Sequence, residues 1–349
     1  MKIAQVAPLH ESVPPKGYGG TERVVHYLTE ELVRQKHQVT LFASGDSKTS
    51  AKLYPIVPQA LRLSPIECDS LSYHIIMLDK VAEMADEFDL IHFHIDNLHY
   101  PLLRQLNTPT VTTLHGRLDL PHLQHVYHAF SHIPVVSISN NQRTPLPFAN
   151  WQSTVYNGIP LSLYRFHPVS GKYLAFLGRI SQDKGIEEAI EIAIISGMEI
   201  RIAAKVDLID QDYFDRVIKP MLEHPLVTFI GEVDEVEKEK LLGNAYALIF
   251  PINWPEPFGL VMIEAMACGT PTIAFRCGSV PEVMKHGKTG FVVNSIGEAL
   301  KAVPKITSIS RQRCRLVFED LYTSRRMAND YLKTYHRLIK KPITATIAV

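Results

Sequence analysis

Long apolar runs are missing from this 349-residue chain. No stretch approaches the ~20 apolar residues that a membrane helix needs, so none is expected. A surplus of one charge is missing too. The 36 basic residues balance 36 acidic ones, and a formal net charge of zero gives no reason to expect a nucleic-acid partner. Cysteine is scarce: Cys68, Cys268, Cys277 and Cys314 show no metal-like pairing and suit reduced thiols. The opening segment, residues 2–7, is a short buried-strand pattern with no long apolar region and cleavage site behind it, so a signal peptide is not expected. Together these absences point to a cytoplasmic enzyme or binding protein. There is no internal repeat and no low-complexity run.

What remains is an ordinary globular composition, 46% hydrophobic and 21% charged, in a chain too long for one ordinary core. Two domains are expected. The first opens with an apolar strand at residues 2–7, stopped by Pro8, then a loop ending Gly17-Tyr18-Gly19-Gly20-Thr21-Glu22. Thr21 is the expected cap of a helix over 22–35, in which Val24, Val25, Leu28 and Leu32 recur at helical spacing. A strand over 39–43 completes a βαβ unit, and with it a parallel sheet. The glycine loop is not a dinucleotide fingerprint, because Glu22 stands where GxGxxG needs its third glycine.

Further strands are expected at 89–95 and 110–114, with 135–139 as the last of this half. His115 directly follows the second of these. That is the C-terminal end of a strand, where open parallel sheets bind ligands. His92, His94 and His99, and separately His122, His125 and His128, invite a metal reading, but neither group carries a convincing set of further ligands. No metal is expected. Residues 166–171 read as an interdomain linker. The second half alternates strands at 173–177, 200–204, 227–231, 247–250 and 272–275 with helices, and a turn at 287–290 leads into a last one.

Between the strands of this half lie the residues that carry chemistry. Arg179 and Lys184 flank a strand-to-helix loop, Gly178-Arg179-Ile180-Ser181-Gln182-Asp183-Lys184-Gly185. Two cations beside helix N–H groups can clamp a pyrophosphate without a metal. Later comes Pro255-Glu256-Pro257-Phe258-Gly259-Leu260-Val261-Met262-Ile263-Glu264. The prolines hold Glu256 in an irregular loop, and Gly259 lets backbone approach a ligand. The N–H groups of Phe258, Gly259 and Leu260 lie at the positive end of the helix that follows. Glu264, inside that helix and among apolar neighbours, needs a polar partner, such as a sugar hydroxyl.

This stretch resembles the E-x7-E motif of retaining glycosyltransferases of family 4, which have the GT-B fold. The Gly-Arg…Lys-Gly run and the Gly19-Gly20 loop resemble segments of the same family, and the likeness extends over nearly the whole chain. It implies an α/β architecture of two Rossmann-like parallel-sheet domains facing each other across a cleft. The expected division is 1–168 for the acceptor domain and 169–320 for the donor domain, with a helix and tail, 321–349, crossing back to the first. The implied activity is transfer of a sugar from a nucleotide-sugar donor to an acceptor hydroxyl with retained configuration. By the resemblance, Arg179 and Lys184 hold the donor diphosphate, Glu256 the sugar and Glu264 the ribose. His115 and the Gly19-Gly20 loop contribute from the first domain. No cofactor or metal is implied beyond the donor itself. Pro160, after Asn157-Gly158-Ile159, departs from the aspartate usual there. A nucleotide-sugar epimerase or sugar-phosphate synthase of the same architecture, and a noncatalytic sugar-nucleotide sensor, are the rival readings.

The last stretch, 311–341, reads as a helical tail with nine basic and three acidic residues. A solvated helix face is the favoured reading, and weak attraction to an anionic membrane surface is the alternative.

Overall fold

The computed structural model describes residues 1–17, 19–63 and 69–340; Tyr18, Cys68 and Lys341, named above, lie outside them. The chain divides into two units. One is Met1–Gly158 together with the chain from Ser324 onward, and the other is Ile159–Thr323.

In the first unit the strands are β1 (Lys2–Val6), β2 (Gln38–Ser44), β3 (Lys52–Val57), β4 (Leu90–Phe93), β5 (Thr110–Thr113), β6 (Val135–Ser137) and β7 (Trp151–Thr154). They form one sheet in the order β3-β2-β1-β4-β5-β6-β7. Every pairing is parallel, as the βαβ pattern requires. The strands inside the sheet are buried on both faces. Val6, Phe42 and Phe93 pack with Met77 and Val81 of the helix Ser70–Glu83 on one side. The second unit adds β8 (Leu174–Arg179), β9 (Ile200–Lys205), β10 (Val227–Gly231), β11 (Ala247–Phe250), β12 (Thr272–Phe275) and β13 (Gly290–Val293). These too are parallel, in the order β10-β9-β8-β11-β12-β13. Phe176, Ile202, Ile249 and Ile273 meet Ile186 and Ile190 of the helix Ile186–Ser196 in its core. Both units are therefore Rossmann-like α/β layers.

Four expectations are corrected. Residues 135–139 do not hold the last strand of the first unit, because β7 pairs beyond β6 at the sheet edge. Thr21 does not cap the first helix. That helix is Gly20–Arg34, and its N-cap is Gly19, without a side-chain bond. The boundary also falls earlier than 168/169, because residues 159–168 are tied to the second unit. The Ile159 N–H donates to Tyr322 O at 3.0 Å, and the His167 N–H to Cys268 O at 3.0 Å. Finally, the basic tail is two helices, Arg311–Leu321 and Ser324–Lys340, which go to different units.

Three arginines of that tail are not solvated charges. Arg311 donates to the carbonyls of His167, Gly243 and Ala245 at 2.6–3.0 Å. Arg315 donates to those of Leu161, Tyr164 and Ala267, and Arg326 to those of Tyr156 and Asn157. Each guanidinium is thus spent on backbone carbonyls of its own unit. No described helix is long and apolar enough to cross a membrane.

Candidate active site

Each sheet has one place where the strand order reverses, between β1 and β4 in the first and between β8 and β11 in the second. Loops leaving the C-terminal ends of strands part there and leave a crevice, the usual ligand position in open α/β sheets. The residues singled out from the sequence gather at these two places, and each unit holds its own group.

In the second unit, β8 ends on Arg179 and its loop returns through Lys184 to Gly185. Gly185 has φ +72, and a β-carbon there would stand 2.0 Å from the carbonyl oxygen of Pro251, so only glycine fits. The Asn253 N–H donates to Asp183 O at 3.0 Å, stitching the loops after β8 and β11 together. That contact brings Lys184 to Glu256. The Lys184 Nζ lies 2.5 Å from Glu256 Oε2, with both side chains 14% exposed. The same ammonium sits 4.9 Å from the centre of the Trp254 ring. Glu256 is held in turn from β12. Ser279 donates its N–H to Glu256 O at 3.0 Å and its Oγ–H to Phe258 O at 2.9 Å.

Arg179 lies among three carboxylates, Asp210 at 3.6 Å, Asp207 at 3.7 Å and Asp183 at 3.9 Å. Among the described residues its Nε has no hydrogen-bond partner. The two cations expected to grip an anion thus come with carboxylate partners. An anionic ligand would exchange with those carboxylates rather than enter an unpaired cationic loop.

Phe258 and Gly259 lead into the helix Leu260–Cys268, and Gly259, at φ +76, is its N-cap. The Phe258 ring is buried and meets Tyr322 edge-on at 6.2 Å, so it anchors the loop. Glu264 is buried as well, at 4% exposure. Its polar partner is Lys238, whose Nζ lies 3.1 Å from Glu264 Oε1 and 3.1 Å from Glu235 Oε1. The sequence asks for a polar partner here, and a neighbouring helix, Glu235–Gly243, supplies one. A buried carboxylate needs a compensating charge or donor whether or not a ligand is bound.

In the first unit, a pocket of about 440 Å³ opens at the switch point. Pro8 after β1, His94, Ile95 and Asp96 after β4, and His115 after β5 line it, with His10, Thr21 and His74. Gly19 and Gly20 lead to the pocket by opening the helix that carries Thr21. His115 is partly exposed, and its Nε2 lies 2.9 Å from His94 Nδ1. The surrounding protein desolvates His115 and lowers its pKa to about 4, so the ring is neutral at ordinary pH. His92, His94 and His99 find their partners among Gln5, Thr112, Thr113 and Tyr335. Among the described residues no group of three or more His, Cys, Asp or Glu is arranged to hold a metal.

Sequence reasoning missed Trp254, Ser279, Lys238 and the acids around Arg179.

Two family descriptions match the chain, "Glycosyltransferase Family 4" over residues 18–145 and "Glycosyl transferases group 1" over residues 165–319. The curated N-acetyl-alpha-D-glucosaminyl L-malate synthase of Bacillus anthracis is 24% identical, over 97% of this chain and 98% of its own. Sucrose-phosphate synthase from Thermosynechococcus elongatus aligns with a TM-score of 0.80 at 19% identity, covering 97% of this chain and 98% of that one. HepE of Anabaena, in complex with UDP and glucose, aligns with a TM-score of 0.75 at 20% identity over 97% and 100%. At these identities the structures share a fold, and the fold is that of the GT-B glycosyltransferases.

Proposed function

We propose, for a chain that belongs to the glycosyltransferases of group 1 and family 4, transfer of a hexose from a nucleoside-diphosphate sugar to an acceptor hydroxyl with retention at the anomeric carbon. The observation that carries this reading is the contact between Lys184 and Glu256 at the switch point of the second sheet. A donor entering there offers both partners a better arrangement at once. Its diphosphate takes the ammonium, and Glu256, released, accepts hydroxyls of the sugar. Charge builds on the departing diphosphate as the glycosidic bond breaks, and a fixed cation is worth most where charge develops. Arg179 adds a second cation, turning to the diphosphate from its three carboxylates. The N–H groups of Gly259 and Leu260 add partial positive charge. Glu264 takes the ribose from beside Lys238. Two side-chain cations do the work a divalent ion does elsewhere, so the reaction is proposed to need no metal.

The first-unit pocket supplies His115 to a substrate hydroxyl. HepE, the neighbour in complex with UDP and glucose, supports UDP-glucose as the first donor to try. The compartment proposed is the cytoplasm, with weak attraction of the basic tail to an anionic membrane surface. The test is incubation with a panel of nucleotide sugars and a pooled acceptor extract, with the anomeric configuration of the product read by NMR. Glycosylated product with retained configuration supports the reading. A new free nucleotide sugar formed without any acceptor marks an epimerase. Tight donor binding without turnover marks a sensor.

A further inference from the structure

Beneath His115 runs a continuous line of buried polar groups. His94 Nε2 lies 2.7 Å from Gln5 Oε1. The other end of that amide, Gln5 Nε2, donates to the Tyr335 hydroxyl at 3.3 Å. Tyr335 OH lies 2.7 Å from His92 Nδ1, and His92 Nε2 lies 2.7 Å from Thr113 Oγ1. Thr113 then meets Tyr331 OH at 3.0 Å. Gln5, His92 and Thr113 are completely buried, as are the two tyrosines. Burial holds His92 and His94 well below the ordinary histidine pKa, so the rings are neutral and each carries one proton.

Neutral rings make the line directional. A glutamine amide offers an acceptor at one end and a donor at the other. Its oxygen faces His94, so His94 carries its proton on Nε2 and presents a bare Nδ1. Only a donor can satisfy that nitrogen, so His115 must hold its own proton on Nε2. On the other side, Tyr335 accepts from Gln5, and its single proton goes to His92 Nδ1. His92 therefore also carries its proton on Nε2 and donates to Thr113. One amide sets three tautomers alike. If the amide were reversed, every bond in the line would reverse with it, and all three protons would sit on Nδ1.

We propose that Gln5, acting through His94, is a positioning residue that locks His115 in its Nε2–H tautomer and so keeps Nδ1 as a hydrogen-bond acceptor for a substrate hydroxyl. The proposal rests on the pocket being a substrate pocket. It goes beyond that by stating which proton polarity the pocket presents. A histidine held in the wrong tautomer loses its catalytic use even when its geometry is kept.

The test is a long-range nitrogen–proton correlation spectrum of the full chain with ring-labelled histidine, at neutral pH. His92, His94 and His115 are expected to share the Nε2–H pattern. A mixed set would overturn the continuous line, and a shared Nδ1–H pattern would overturn its polarity. In Gln5→Met, of similar volume but without the amide, His115 should show the averaged signals of two exchanging tautomers. Its kcat should fall by at least about tenfold with the donor KM unchanged. An unchanged His115 spectrum in that variant would make Gln5 a spacer and sink the proposal. If Gln5→Met fails to fold, the wild-type spectrum still decides. If the tautomers are as stated but His115→Gln transfers sugar at the full rate, the substrate reading of the pocket fails while the hydrogen-bonded line stands.

Discussion

Gly278 lies against the backbone of Glu256. A β-carbon on Gly278 would come 2.4 Å from the Glu256 nitrogen and 2.5 Å from its oxygen, at a φ of +54. Gly278→Ala should therefore push the Glu256 loop out of place and lower kcat/KM by at least about tenfold. Gly287→Ala is the control, since Gly287 has φ +74 but, among the described residues, nothing within 4 Å of an added β-carbon. Both variants should lose about 1–3 kcal/mol to backbone strain. Equal catalytic losses in the two would show that strain alone, and not the displacement of Glu256, is being read.

The Lys184–Glu256 contact can be read twice. In thermal or urea unfolding, a double-mutant cycle with Lys184→Met and Glu256→Gln should give a coupling of about 0.5–3 kcal/mol. In turnover, each single variant should lose about a hundredfold or more. Zero coupling together with an unchanged rate would remove the pair from both roles.

Glu256 and Glu264 should fail differently in calorimetry. Glu256→Gln should still bind bare nucleoside diphosphate but blur the choice between epimeric sugars. Glu264→Gln should weaken the bare nucleotide as well, and it leaves Lys238 sharing its charge with Glu235 alone. The opposite pattern would exchange the two assignments.

Metal dependence is expected to be slight. Activity should survive excess chelator largely intact. Complete loss, restored by magnesium or manganese, would show that Arg179 and Lys184 do not suffice.

Acid should loosen the first unit. His92 and His94 sit well below the ordinary 6.5, His99 near 3 and His115 near 4, in each case chiefly through desolvation. Below 6.5 the unfolded chain binds protons that the folded chain refuses. Stability is thus complete above 6.5 and falls as pH drops toward 4 and then 3. Urea midpoints measured at pH 7.5 and pH 5 should differ, with the lower midpoint in acid. Equal midpoints would mean that these rings titrate alike in both states.

The strands that were easy to read are those buried on both faces, such as Ala247-Leu248-Ile249-Phe250, because a central parallel strand is written as an unbroken apolar run. The two that escaped sit at the edges of the first sheet. Lys52–Val57 contains a proline, which marks an edge at best, and Trp151–Thr154 is polar and only half covered. At the site, the loops carrying Arg179, Lys184, Glu256 and Glu264 were legible from their glycines, prolines and neighbouring strands. Their partners were not. Lys238 sits in a run of glutamates and lysines that reads as surface, and only the fold turns it inward to Glu264. Gln5 looked like a polar interruption in a strand, because its partners lie 89 and 330 residues away.

The helix Ser324–Lys340 has a consequence for the order in which the protein is made. Tyr331 and Tyr335 complete the hydrogen bonding of Gln5, His92 and Thr113. Strands β1, β4 and β5, which carry those three groups, leave the ribosome more than two hundred residues before the tyrosines do. During that interval the first sheet must wait with buried polar groups unmet, while the whole second unit can fold as it emerges. The first unit, though most of it is synthesised before the second, is then the later to mature. A stop codon within the helix Ser324–Lys340 would spare the second unit, yet its damage would appear in the first sheet.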